Sequence, residues 1–231
     1  MLSKLLTKFD NWERRVRYSF GKDISTPRAR RLSKLHYHLF DHAFLRILWT
    51  NFWEIAPGVY RSNQPTHARF EKYAAMGIKT VINLRGADGH AHYLFEEESV
   101  NQLGMTLVNA KLWARHAAGP EYILAVIDAL RAAEKPVMFH CKSGADRAGF
   151  IAATYLLVFE GASVDEARKM LAFKYVHLKF TKTGVQDYIL RTYKARLTRG
   201  HIPFEDWIRS EYDPQAIQAG FDAKVPPEDI A

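Results

Sequence analysis

Between residues 54 and 199 the apolar positions fall into two alternating kinds of run. Short runs rich in β-branched and aromatic residues, at 59–61, 79–84, 105–108 and 136–139, read as buried strands. Longer stretches between them repeat apolar residues at helical spacing: 66–76 ending at Gly77, 91–103 closing at Gly104, 120–133 opened by Pro120, and 150–159. Two further helices fit 163–175 and 184–197. A strand–helix order repeated four times predicts an α/β domain: a central, mostly parallel sheet of four to five strands flanked by helices.

Outside that span the pattern changes. Thr26 is placed to cap a helix opened by Pro27, after a break at 23–27. Leu2, Leu5, Leu6 and Phe9 recur at helical spacing with Lys4 and Lys8 between them, a face that either packs on the body or lies on a membrane. Residues 43–53 are the most apolar stretch of the front end, of a length that suits a buried or interfacial helix. Beyond Arg199 the prolines at 203, 214, 226 and 227 interrupt any period, which predicts a loosely packed tail. The chain divides into a helical N-terminal extension (1–53), a catalytic domain (54–199) and a tail (200–231).

Composition sharpens this picture. With 48% hydrophobic and 13% aromatic residues, 231 residues build a real core, which excludes wholesale disorder. The net charge of +8 is uneven: residues 1–50 carry 11 Lys and Arg against 4 Asp and Glu, and the rest is nearly neutral. Such an extension suits a solvated face or an anionic membrane surface; charge is the whole case for nucleic acid, so that partner is not expected. No secretory signal and no membrane span is expected. The single cysteine excludes a disulfide framework and a Cys-rich metal site, and points to a reducing compartment. The expected location is cytoplasmic, with peripheral attachment to the membrane through residues 1–50. His36, His38 and His42, and His90 and His92, lack acidic partners at ligand spacing, so packing and surface roles are expected and no metal.

The cysteine stands in His140-Cys141-Lys142-Ser143-Gly144-Ala145-Asp146-Arg147, between a predicted strand and a predicted helix. Open α/β sheets bind ligands at the carboxyl ends of their strands. A helix N-terminus there offers unpaired N–H groups and the positive end of a dipole, which suit an anion. Gly144 lets successive N–H groups converge, and Arg147 supplies a planar fork for two phosphate oxygens. Both surroundings favour the thiolate, the nucleophilic form of Cys141.

These residues resemble the signature of the cysteine-dependent protein tyrosine and dual-specificity phosphatases, His-Cys, five residues, then Arg. Segments 59–65 and 77–85 resemble the opening strands of compact bacterial members, so the likeness spans about residues 54–198. It implies Cys141 as nucleophile, Arg147 as phosphate ligand and Lys142, Ser143, Gly144, Ala145 and Ala148 as the rest of the cradle. It implies a phosphocysteine intermediate that water hydrolyses, with no metal or cofactor. The expected substrate is a phosphorylated protein, chiefly at tyrosine with serine and threonine open, or a small phosphoester. The alternative is a phosphoinositide, inositol phosphate or phospholipid at a membrane surface, and a non-catalytic phosphate-binding module is the third reading.

Two departures follow from the same comparison. The stretch 109–119, where such phosphatases carry an aspartic general acid, has no carboxylate. Asp146, then Asp88, then His116 are the candidates to replace it; the bland role for Asp146 is to orient Arg147 or a loop amide. Ala148 stands where a serine or threonine is usual, which predicts slower release of the cysteine in the second step.

Overall fold

The computed structural model describes residues 19–230. The Leu2–Phe9 face proposed above lies outside the described residues. Five strands form one sheet in the order β1-β2-β5-β3-β4: β1 (Trp53–Ala56), β2 (Val59–Asn63), β3 (Thr80–Asn83), β4 (Thr106–Asn109) and β5 (Val137–Cys141). β2, β5, β3 and β4 run parallel, and β1 pairs antiparallel with β2 at one edge. The main helices are α1 (Pro27–Leu39), α2 (His67–Ala75), α3 (Ala91–Gln102), α4 (Pro120–Ala132), α5 (Asp146–Phe159), α6 (Val185–Arg196), α7 (Phe204–Ser210) and α8 (Pro214–Ala223).

Side chains of a strand alternate between faces, and the two cores divide accordingly. Val81 and Met138 join Phe70, Tyr73, Ile78, Val100 and Met105 on the face covered by α2 and α3. Ile82, Val137 and Phe139 face the larger core formed with α4, α5, α6 and the C-terminal helices. Residues 148–155 of α5 are all buried, so this helix lies inside the molecule. Helices α2 and α3 cover one face and α4 the other, so the winding reverses at β5. That reversal is the topological switch point where such sheets hold ligands, and β5 ends there in Cys141.

Several local expectations hold. Pro27 opens α1, and Thr26 Oγ1 accepts the Ala29 N–H at 3.1 Å. Gly77 terminates α2 with φ +87°, a left-handed turn that costs glycine little. Two expectations fail. The helix predicted over 163–175 is a single α-turn at Val164–Ala167 followed by two 3-10 turns, because Ala172 is extended and Val176 left-handed (φ +62°). The C-terminal segment is not a loose tail: Phe204, Trp207, Ile208, Tyr212 and Ile217 are buried in the larger core. Its prolines do not break helices, because Pro203 precedes α7 and Pro214 opens α8, where no amide hydrogen is needed. The edge strand β1 was not expected, because its short WEIA run is half-exposed and does not read as a buried strand.

The described part of the extension also packs down. Arg30 pairs with Glu98 of α3, Tyr37 meets Phe95 at 5.9 Å between ring centroids, and Asn51 reaches the loop that follows β5.

Candidate active site

The loop after β5 is built so that its carbonyls are occupied from behind. The Gln64 N–H donates to Lys142 O at 3.4 Å, and Asn51 Nδ2 donates to Ser143 O at 3.1 Å. Arg61 Nη2 donates to Gly144 O at 2.6 Å and to Ala145 O at 3.2 Å. With its carbonyls held in this way, the loop can turn amide hydrogens toward an anion. Gly144 N–H already donates to Cys141 Sγ at 3.2 Å, a contact that stabilises negative charge on sulfur. Gly144 is required twice over: φ is +73°, and a Cβ would stand 2.6 Å from the Asn63 nitrogen.

Arg61 was read from sequence only as part of a strand, yet it organises this loop. It is fully buried, its Nη1 donates to Met170 O at 2.7 Å, and its guanidinium lies 4.0 Å from the Tyr175 ring centroid. Burial pushes it down to about 10, so it is still a cation at neutral pH. The available signal was a lone arginine within a short apolar strand, which must be paired when buried.

Arg147 projects from the first turn of α5. Its Nη1 lies 3.3 Å from Leu112 O and 3.4 Å from Leu84 O, which pins one end of the guanidinium. Its Nε is buried with no partner in the structure, a donor left for an incoming oxygen. Ala145 and Ala148 are buried, and Ser143 Oγ accepts the Ala145 N–H at 3.3 Å.

Behind the cysteine runs a buried polar chain. His140 Nε2 lies 2.6 Å from Glu96 Oε1; Glu96 bonds Gln64, Gln64 bonds Arg85, and Arg85 grips Asp41 at 2.7 and 3.0 Å. Asp41 belongs to the extension and also pairs with Arg46 at 2.5 Å and with Lys142 at 3.5 Å. Burial opposes its charge, but Arg85 and Arg46 overcome that and hold its carboxyl well below the usual carboxylate range. The sign follows. A depressed folded value contributes stability that is present above the unfolded value near 3.9 and is lost as pH falls through the folded one. Asp41→Asn should therefore lower unfolding free energy at pH 7 by about 3 kcal/mol. Urea melts of both proteins at pH 7 and pH 3 check this; the gap should narrow at pH 3.

The acid candidates separate in space. Asp146 opens α5, and its Oδ1 lies 2.8 Å from Nδ1 of the buried His177, not on Arg147. It borders an open cleft with Arg115, Val176, Thr181, Lys182 and Thr183. Asp88 accepts the His90 N–H at 2.9 Å and lies 3.3 Å from His92 Nε2. Burial pushes its carboxyl up, but these histidine contacts outweigh that and hold it at about 2, poorly suited to donating a proton. His116 is exposed beside Gln215 and Gln218 of α8, a different cleft from that of Asp146. Among the described residues no group of three His, Cys, Asp or Glu side chains is placed to hold a metal ion.

With this geometry in hand, comparison with known proteins is decisive about family. A family model described as "DSP-PTPase phosphatase fused to NAD+ Kinase" matches residues 54–186, more than half of the chain. The chain belongs to that family. It is 30% identical over 113 residues to the dual specificity protein phosphatase TpbA of Pseudomonas aeruginosa strain UCBPP-PA14, covering 48% of each protein. The chain thus spans about half the length of the curated relatives it matches. The crystal structure of P. aeruginosa TpbA in complex with pTyr aligns with a TM-score of 0.52 at 22% identity, over 62% of this chain and 88% of that one. A DUF442 protein from Shewanella putrefaciens CN-32 aligns with a TM-score of 0.54 at 20% identity, over 68% and 97%. At these identities the two structures establish the fold.

Proposed function

We propose that this protein hydrolyses phosphomonoesters through a phosphocysteine, with phosphotyrosine in proteins as its leading substrate. The observation that carries the reading is the loop itself: a buried cysteine at the end of β5, an amide on its sulfur, loop carbonyls tied off behind it, and Arg147 with an unpartnered Nε. Cys141 sulfur attacks phosphorus in line, so the S–P bond forms as the ester P–O bond breaks. Loop amides and Arg147 take up the charge on the equatorial oxygens. Asp146 gives its proton to the leaving oxygen. Water then attacks phosphorus, Asp146 receives the water proton, the S–P bond breaks and orthophosphate leaves.

A single phosphate fits the charge on the loop. Besides Arg147, the cation held against it is Arg61, whose guanidinium is taken up by the carbonyls of Gly144, Ala145 and Met170, and Lys142 is engaged by Asp41. That favours a monophosphate over an inositol polyphosphate. The pTyr held by the P. aeruginosa relative favours an aryl ester. The alternative, a lipid-borne phosphomonoester, has one observation in its favour, the apolar and basic surface described below.

Asp146→Asn tests the acid. Hydrolysis of an alkyl phosphate, a poor leaving group, should fall by about 10²-fold or more, while an aryl phosphate with an acidic phenol should change little. Equal rates for wild type and variant on the alkyl ester would contradict the assignment.

A further inference from the structure

Large apolar side chains left exposed on this molecule are not scattered. Apart from Met76 and Tyr122, all of them among the described residues lie in two segments, 32–53 and 173–180. Leu48 is 94% exposed, Phe180 87% and Phe173 75%, so the described residues leave them largely uncovered. The two segments adjoin. Asn51 Nδ2 donates to Tyr175 O at 3.0 Å, Trp53 meets the Tyr175 ring at 5.6 Å, and Lys174 Nζ lies 5.7 Å from the Trp53 ring centroid. They also border the catalytic loop, since the same Asn51 holds Ser143 O, and Val176 and Lys182 line the cleft of Asp146.

Exposed apolar side chains gathered in two adjoining segments mark an interaction site. Its charge identifies the partner. Residues 168–182 carry Arg168, Lys169, Lys174, Lys179 and Lys182 and no carboxylate, and exposed lysines alternate with Phe173, Val176 and Phe180. A second copy of the chain would bring like charges together across a symmetric contact. The chain's own residues 1–18 are themselves net basic, with Lys4, Lys8, Arg14, Arg15 and Arg17 against Asp10 and Glu13. A surface of apolar side chains interleaved with cations fits the headgroup layer of an anionic bilayer.

We infer that this rim docks on an anionic membrane, with Leu48, Phe173 and Phe180 inserted among the acyl chains and Lys174 and Lys179 at the lipid phosphates. Docking turns the mouth of the catalytic loop toward esters presented at the membrane. It does not depend on the proposed chemistry. Binding is therefore measured with the full-length Cys141→Ser protein, so the two readings fail separately.

Co-sedimentation with phosphatidylglycerol–phosphatidylcholine vesicles should show binding that pure phosphatidylcholine does not support and that salt weakens. The triple variant Leu48→Gln/Phe173→Gln/Phe180→Gln should bind roughly 30-fold more weakly. Lys174→Gln and Lys179→Gln should each cost about five-fold at low salt. The same substitutions in the catalytically intact chain should leave hydrolysis of a soluble aryl phosphate unchanged, which shows that they fold. Absence of binding to anionic vesicles, wild-type binding by the triple variant, or a dimer in vesicle-free solution that these substitutions disperse would each overturn the inference.

Discussion

Cys141→Ser is expected to reduce hydrolysis of an aryl phosphate by at least about 10⁴-fold, to the level of the uncatalysed background in a steady-state assay. The substitution changes one atom at the end of β5, in a site where the strand, the loop amides and Arg147 all stay in place. Serine is close in size to cysteine but is a far weaker nucleophile at neutral pH, because its hydroxyl is much less acidic than a thiol and keeps its proton. The variant should retain phosphate affinity, since the cradle is unchanged. Orthophosphate binding by calorimetry, alongside the rate, separates this outcome from unfolding. Loss of rate with unchanged binding is expected; a variant that keeps even a tenth of wild-type activity would remove Cys141 from the chemistry.

The second large effect concerns a residue that never touches substrate. Arg61→Met should lower unfolding free energy by about 3–5 kcal/mol and reduce kcat by about 10²-fold or more. Methionine replaces the packing of the stem but leaves the carbonyls of Gly144, Ala145 and Met170 without their buried donor. A carbonyl so released is free to turn toward the pocket, where it would repel the phosphate oxygens. Arg61→Lys keeps the charge but not the fork that reaches several acceptors, so it should recover stability more than turnover. A purely structural role would instead lower melting temperature and leave kcat of the folded protein intact. Urea melts and steady-state kinetics on both variants decide between the two.

What could be read from the sequence follows from how local each cause is. The Cys141 loop was legible because its motif is packed into eight consecutive residues between a strand and a helix. The four parallel strands were legible from their apolar runs. The partners that hold the loop were not, because Asp41, Asn51, Arg61 and Glu96 stand far ahead of Cys141 in the chain and reach the loop only after the sheet closes. Asp146 stands out in the sequence as the acid candidate inside the loop, but its contact with His177, 31 positions away, was out of reach. The C-terminal segment was misread for a different reason. Its Phe204, Trp207 and Ile208 do repeat at helical spacing, and the prolines that hid this stand at helix starts.

The extension was expected to be basic and helical, with its apolar residues either packed on the body or lying on a membrane; its Asp41 and Asn51 are built into the surroundings of the Cys141 loop. Deleting residues 1–50 would therefore test folding and membrane contact together, which is why point substitutions at Leu48, Phe173 and Phe180 are the better probe.

In the proposed reaction, phosphate passes through the sulfur of Cys141. Rapid acid quench of the wild-type protein with an aryl phosphate, followed by mass spectrometry of the peptide containing Cys141, would catch it there. A phosphate adduct on Cys141 that forms and decays during turnover, absent from the Cys141→Ser protein, is the predicted result. Turnover with no adduct on Cys141 at any quench time, or an adduct on another residue, would contradict the account.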